Sequence, residues 1–168
     1  IVAWIGMVDA SRQVVKVGKE WERVGQQRHS QLIKLMIETP PHDSSIKAQL
    51  KRGMSMRIME WLLAGEYVLA NQNPNLLFCE RGVRTFEDYT RNTLDLSAVA
   101  AVKNESHCPV VVDPSQGCGK ASLVRAMCKG AVAMGADALL IEVHPDPTHA
   151  ISDAAQQIDL EGFGELMK

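Results

Sequence analysis

The sequence has no long apolar run. Nothing in it approaches the ~18 consecutive apolar residues of a membrane span, so a membrane-spanning reading is set aside. Neither sign of charge is in excess. Lys and Arg number 18 against 20 Asp and Glu, and a net charge of -2 gives no electrostatic footing for nucleic acid or an anionic membrane surface. Cysteine is sparse and unpatterned. Cys79, Cys108, Cys118 and Cys128 show no CxxC spacing, which fits reduced thiols in a cytoplasmic protein rather than a disulfide framework. The start of the chain lacks a basic region followed by an apolar one and a small-residue cleavage site, so no signal peptide is read. Low-complexity segments are absent, and no internal repeat stands out beyond an alternation of strand, loop and helix.

What is present is globular: 46% hydrophobic and 23% charged over 168 residues, which sets one domain as the expectation. Ile1 opens inside an apolar run with no start methionine, so an upstream segment is expected to be missing. Ile1–Val8 reads as a buried strand. Ser11–Glu22, with Val14, Val15, Val17 and Trp21, reads as a helix, and Trp21–Val24 as a short strand. A helix is expected from Ser30, stopped by Pro40 and Pro41. Ala48–Leu50 reads as a strand, Ser55 as the cap of a helix reaching Asn71, and Leu76–Phe78 as a strand. A short helical or irregular segment is read around Leu94–Val102, then a strand at Pro109–Val112, a helix at Lys120–Met134, a strand at Ala138–Val143 and a terminal helix at Leu160–Met167. Trp4, Trp21, Trp61 and the methionines read as core.

The count is about six strand-helix units, whereas a complete eight-unit barrel takes about 250 residues. The pattern therefore predicts an α/β fold with a parallel sheet, either a smaller open sheet or a partial (β/α)8 barrel. Sites in such folds sit at the carboxyl ends of strands, and polar residues gather there. Lys51 and Arg52 follow one strand; Arg81 and Arg84 follow another. Cations in those places suit phosphate or carboxylate, or are simply solvated. Glu142, His144, Asp146 and His149 cluster after the Ala138 strand, with Asp153 beyond; such donors suit Mn, Fe or Zn, or equally Glu142 pairs with a cation and the histidines are solvated. Glu142 and His144 are two apart, so an extended strand puts them on one face. Asp113 either orients a neighbour or accepts hydrogen bonds from the turn after it, and Asp95 reads equally as a helix cap. Gly117-Cys118-Gly119-Lys120 reads as a turn opening a helix, with backbone N–H groups open to a phosphate. It fails the Walker pattern, because no glycine stands five places before Gly119 and Ala121 replaces the magnesium-ligating hydroxyl.

Several motifs in register resemble a known family. Leu50-Lys-Arg-Gly-Met-Ser55, Cys79-Glu-Arg-Gly-Val-Arg-Thr-Phe-Glu87 and Thr90-Arg-Asn-Thr-Leu-Asp-Leu-Ser-Ala-Val99 are similar to 3-deoxy-7-phosphoheptulonate (DAHP) synthases, in the branch shared with 3-deoxy-manno-octulosonate 8-phosphate synthases. Residues 50–168 match well and residues 1–49 weakly, so 1–168 reads as a single partial barrel domain. Met7-Val8-Asp9 and Val24-Gly25 echo the family's third and fourth strand ends, which implies that the first two strand units are missing.

The resemblance implies a transferase of the shikimate pathway, condensing phosphoenolpyruvate with erythrose 4-phosphate at a divalent metal of the Mn, Fe or Zn class. Lys51 and Arg81 are then the catalytic cations that bind phosphoenolpyruvate. Arg28 and Asp95 join them at the substrates, and Glu142 and Asp153 are metal ligands. Gln116 stands where the family has a metal-binding histidine, and the family's cysteine ligand has no counterpart among the four cysteines. The expected setting is cytoplasmic, with a homo-oligomer favoured by open sheet edges and no nucleic-acid or membrane partner. The alternative is a catalytically impaired member serving as a phosphate-binding or interaction module.

Overall fold

Short apolar strands punctuated by polar turns set the frame. The computed structural model describes residues 2–8, 14–16 and 48–168. Within them run strands β1 (Val2–Val8), β2 (Val14–Lys16), β3 (Ala48–Lys51), β4 (Leu76–Glu80), β5 (Val110–Val112) and β6 (Ala138–Val143). Helix α1 (Ile58–Ala70) follows β3, and α2 (Ser97–Glu105) follows β4. The five-residue α3 (Pro114–Cys118) and α4 (Ala121–Ala133) follow β5, and α5 (Leu160–Leu166) follows β6. The described strands form one sheet in the order β2-β1-β6-β5-β4-β3.

Strands β3 to β6 are parallel and each leads into a helix, which makes half of a (β/α)8 barrel. The partial-barrel expectation holds, with four strands in the parallel run. The other two strands differ in direction. β1 pairs antiparallel with β6, and β2 antiparallel with β1. Met7-Val8 therefore does not end a parallel barrel strand, as the echo of the family's third strand implied. The helix expected over Ser11–Glu22 gives way at Val14–Lys16 to β2, where two adjacent β-branched valines favour extended backbone. The Trp21–Val24 strand, the helix from Ser30, Val24-Gly25 and Arg28 lie outside the described residues.

Strand alternation sorts the side chains onto two faces. Leu76, Phe78, Val110, Val112, Leu139, Ile141 and Val143 point to the helices and bury against Trp61 of α1, Val99 of α2 and Val124 of α4. Phe78 meets the Trp61 ring edge-on, with centroids 5.1 Å apart, and the Trp61 indole N–H donates to Leu50 O at 3.0 Å. On the inner face, Leu77, Cys79, Val111, Ala138 and Leu140 form a smaller layer. Helix α1 starts two residues later than Ser55 predicts. Arg57 occupies the cap position, and its backbone N–H donates to Glu60 Oε2 at 2.9 Å.

Candidate functional site

The alternation that places Cys79 and Val111 inside also places Lys51, Arg81, Asp113 and Glu142 on the inner side, where the parallel strands stop. Lys51 pairs in register with Cys79, and Arg81 is two residues beyond it. Asp113 is two residues beyond Val111. Glu142 is two beyond Leu140 in β6. Four strand ends thus deliver two cations and two carboxylates to one place.

The turn after β5 joins them. Lys51 Nζ donates to Asp113 Oδ2 at 2.9 Å, and Asp113 Oδ1 accepts from the backbone N–H of Gln116 at 2.9 Å. Asp113 thereby both orients a neighbour and caps the helix that follows it. Arg81 Nη2 donates to Gln116 Oε1. Gln116 Nε2 reaches Glu142 Oε1 at 3.4 Å, and Gln156 Nε2 donates to the same oxygen at 2.8 Å. Glu142 Oε2 and Arg81 Nε are buried without a hydrogen-bond partner among the described residues. Burial alone would lower the Lys51 ammonium, but the Asp113 carboxylate outweighs it and leaves the pKa raised. Burial, with Asp113 near, pushes the Glu142 carboxyl up against the two amides that favour its charged form. Burial also lifts the Cys79 thiol to about 12, so it stands beside Lys51 as a neutral, unreactive group.

Arg52 is one residue from Lys51 and so falls on the opposite face. Its Nη1 bonds Glu80 Oε2 at 3.0 Å and Asp95 Oδ2 at 2.9 Å, and its Nε donates to Met56 O at 3.0 Å. Asp95 Oδ1 accepts from the Ser97 hydroxyl and from Ala98 N, so this carboxylate also caps α2. Arg84 is exposed and donates to Arg91 O at 2.9 Å. The triad of Arg52, Glu80 and Asp95 ties the loops after β3 and β4 together on the helix side of the sheet.

Gln156 and Arg91 link Asp153 to Glu142. Asp153 Oδ1 receives Arg91 Nη1 at 2.7 Å, and the same nitrogen reaches Gln156 Oε1 at 3.1 Å. His144 has left the strand, since β6 ends at Val143. Its Nδ1 accepts from Asp146 N at 3.0 Å, while Asp146 Oδ2 and His149 Nδ1 pair at 2.6 Å on the surface. The turn expected at Gly117-Cys118-Gly119 is helical through Cys118, because Asp113 and Pro114 supply a cap and a preset first turn. Gly119, at φ +66°, then ends it. The N–H groups of Gly117 and Gly119 bond Asp113 O and Ser115 O, so neither is open to a phosphate. Gly82 is also required. At φ +88°, an added Cβ would lie 2.7 Å from Asn92 Cβ and 3.0 Å from Gly117 Cα.

These donors do not fit a divalent metal as arranged. Glu142 offers one free oxygen, the Gln116 carbonyl oxygen is taken by Arg81, and Asp153 is paired with Arg91. Among the described residues, no group of three or more His, Cys, Asp or Glu is placed to hold an ion. The cysteines are buried and unpaired, with Cys118 and Cys128 held at about 11 and about 12 by burial.

Sequence reasoning passed over Glu80, Arg91, Asn92 and Gln156 as participants. For Glu80 a signal exists, since it alternates with Cys79 and Arg81 and so faces the other way, towards Arg52. For Arg91 and Gln156 none exists, because they are 65 residues apart and meet only through the fold.

The chain matches the DAHP synthetase I family over residues 20–168. It is 43% identical over 141 residues to the phospho-2-dehydro-3-deoxyheptonate aldolase of Thermotoga maritima, covering 84% of this chain and 41% of that protein. It is 32% identical over 130 residues to the 2-dehydro-3-deoxyphosphooctonate aldolase of Syntrophotalea carbinolica, covering 71% of this chain and 46% of that one. Among solved structures it is similar to a truncated form of the Thermotoga maritima 3-deoxy-D-arabino-heptulosonate 7-phosphate synthase, with TM-score 0.73 and 43% identity over 83% of this chain and 53% of that one. The chain spans about half the length, or less, of the relatives it matches.

Proposed function

Because the chain belongs to the DAHP synthetase I family, we propose that Lys51 and Arg81 bind phosphoenolpyruvate for condensation with erythrose 4-phosphate. One observation carries the reading: cations from two adjacent strand ends converge on the Asp113–Gln116 turn, one through each end of it. Lys51 supplies a compact positive charge held in place by a buried carboxylate. Arg81 supplies a planar fork whose Nε still lacks a partner among the described residues. Together they hold the phosphate and offset charge that develops as the enol carbon bonds the aldehyde carbon. Cys79 and Val111 beneath them keep the floor of the site dry, which strengthens both attractions. Among the described residues the metal that the resemblance implies finds no fitting donor set, so polarisation of the aldehyde is not assigned to one. Reduced cysteines accord with a cytoplasmic setting, and among the described residues no helix is long and apolar enough to cross a membrane.

A second reading has specific support: Asp153 and Gln116 are both committed to arginines, which favours a phosphate-binding module without turnover. Two measurements separate the readings. Calorimetry with phosphoenolpyruvate should show binding that Lys51→Met or Arg81→Met weakens by about 10- to 100-fold, the worth of a charge-assisted contact. Phosphate release after adding erythrose 4-phosphate then decides for the enzyme, and its absence for the module. A chain that binds no phosphoenolpyruvate would refute both.

A further inference from the structure

We propose that Gln116 is a positioning residue for Arg81: its side-chain amide fixes the guanidinium in the orientation that receives an anion. The inference rests on the reading of Lys51 and Arg81 as the phosphate-binding pair.

The amide is itself fixed from several sides. The backbone N–H of Gln116 donates to Asp113 Oδ1 at 2.9 Å, and its carbonyl accepts from Asn92 Nδ2 at 2.9 Å. The next residue, Gly117, packs so tightly on Leu94 that a Cβ there would come within 2.6 Å of its Cδ1. From this mount the side chain reaches two ways: Oε1 accepts from Arg81 Nη2, and Nε2 approaches Glu142 Oε1 at 3.4 Å. The orientation of the amide follows from its neighbours, since the guanidinium has only donors and the carboxylate oxygen accepts. Gln116 therefore stands between a cation and a carboxylate that would otherwise attract each other.

Its neutrality matters. An amide oxygen holds Arg81 without cancelling its charge, so the whole charge remains for an anion. A carboxylate in the same place would hold Arg81 equally well and neutralise it. With no acceptor there, the long side chain regains its rotamer freedom, and Glu142 competes for it. Gln116 also shares the turn with Asp113, which positions Lys51, so one five-residue helix and its cap aim both cations.

The test uses inorganic phosphate and phosphoenolpyruvate as probes, followed by calorimetry on the whole chain, with circular dichroism to confirm folding. Gln116→Leu should weaken phosphate binding about tenfold, equivalent to one hydrogen bond to a charged group. Gln116→Glu should weaken it at least as much, although it keeps an acceptor for Arg81. In an Arg81→Lys background, whose ammonium is a point charge without a fork, the Gln116→Leu change should matter less than about twofold. If Gln116→Leu does not fold, Gln116→Asn, one methylene shorter, withdraws the same amide and should give the same loss. Unchanged affinity in a folded Gln116 variant overturns the inference, as does an equal loss in the Arg81→Lys background. A wild-type chain that binds neither probe overturns the phosphate-site reading itself, a different result from binding that ignores Gln116.

Discussion

Arg52 brings one positive charge to a point where two carboxylates meet it, and the two respond in opposite senses. Burial holds the Glu80 carboxyl above its ordinary range, even against the Arg52 contacts. Burial pushes Asp95 in the same direction, but Arg52 and Ser97 prevail and hold it below its ordinary range. A carboxylate with a lowered folded-state pKa contributes stability above its unfolded value, and loses it as pH falls through the folded one. Asp95→Asn should therefore cost about 1.5–3 kcal/mol at pH 7, judged by urea denaturation. The gap between wild type and variant should close as the pH drops below about 4. A gap that is constant from neutral to acid would show that the Arg52 pairing contributes nothing through charge. At this scale the sequence displayed Asp95 as a cap candidate and Lys51-Arg52 as a basic pair. It did not display that the pair is split between two faces, although strand alternation was enough to infer it.

Helix α1 meets β4 across a glycine. A Cβ at Gly65 would lie 2.3 Å from Phe78 Cζ and 2.8 Å from its Cε1. Two effects oppose each other in Gly65→Ala. Alanine gains about 1 kcal/mol of helix propensity, while overpacking a filled core costs about 1–3 kcal/mol. Phe78 cannot yield, being 2% exposed and set edge-on against the fully buried Trp61. Overpacking should win, and thermal unfolding should show a lower midpoint for Gly65→Ala. A raised midpoint would mean that the helix stands further from the strand than this contact requires. Element positions from β3 onward were legible because short apolar runs between turn residues have few alternatives. The α3 helix was not, because its five residues are too few for a periodic signal and its stability comes from Asp113 and Pro114 at the start and Gly119 at the end. At Val14–Lys16 the structure has a strand where a helix is expected, because valines spaced for a helix are also good strand residues.

Across the molecule, residues brought together by the sheet are committed to one another. Glu142 is held by two amides and Asp153 by Arg91, on opposite sides of Gln156. Manganese titration, followed through the paramagnetic signal of the free ion, should accordingly show weak, non-stoichiometric binding. A neutral amide oxygen at Gln116 is a poor substitute for imidazole, and the Asp153 carboxylate must first leave an arginine. Tight one-to-one binding would show that these pairings dissolve when an ion arrives. The half-barrel arrangement has the same origin as the site: parallel strands expose their carboxyl ends together, so strand-end residues far apart in the chain become neighbours.

Strand positions from β3 to β6, the strand-end places of Lys51, Arg81 and Glu142, and the family are all readable in the chain, because they are written in local pattern and in contiguous motifs. It takes the packed molecule to show that β1 and β2 join the sheet antiparallel, that Lys51 pairs with a residue 62 positions away, and that Gln116 is committed to Arg81. Pairing direction and long-range partners depend on how separate segments pack, and no periodicity in a single chain encodes that.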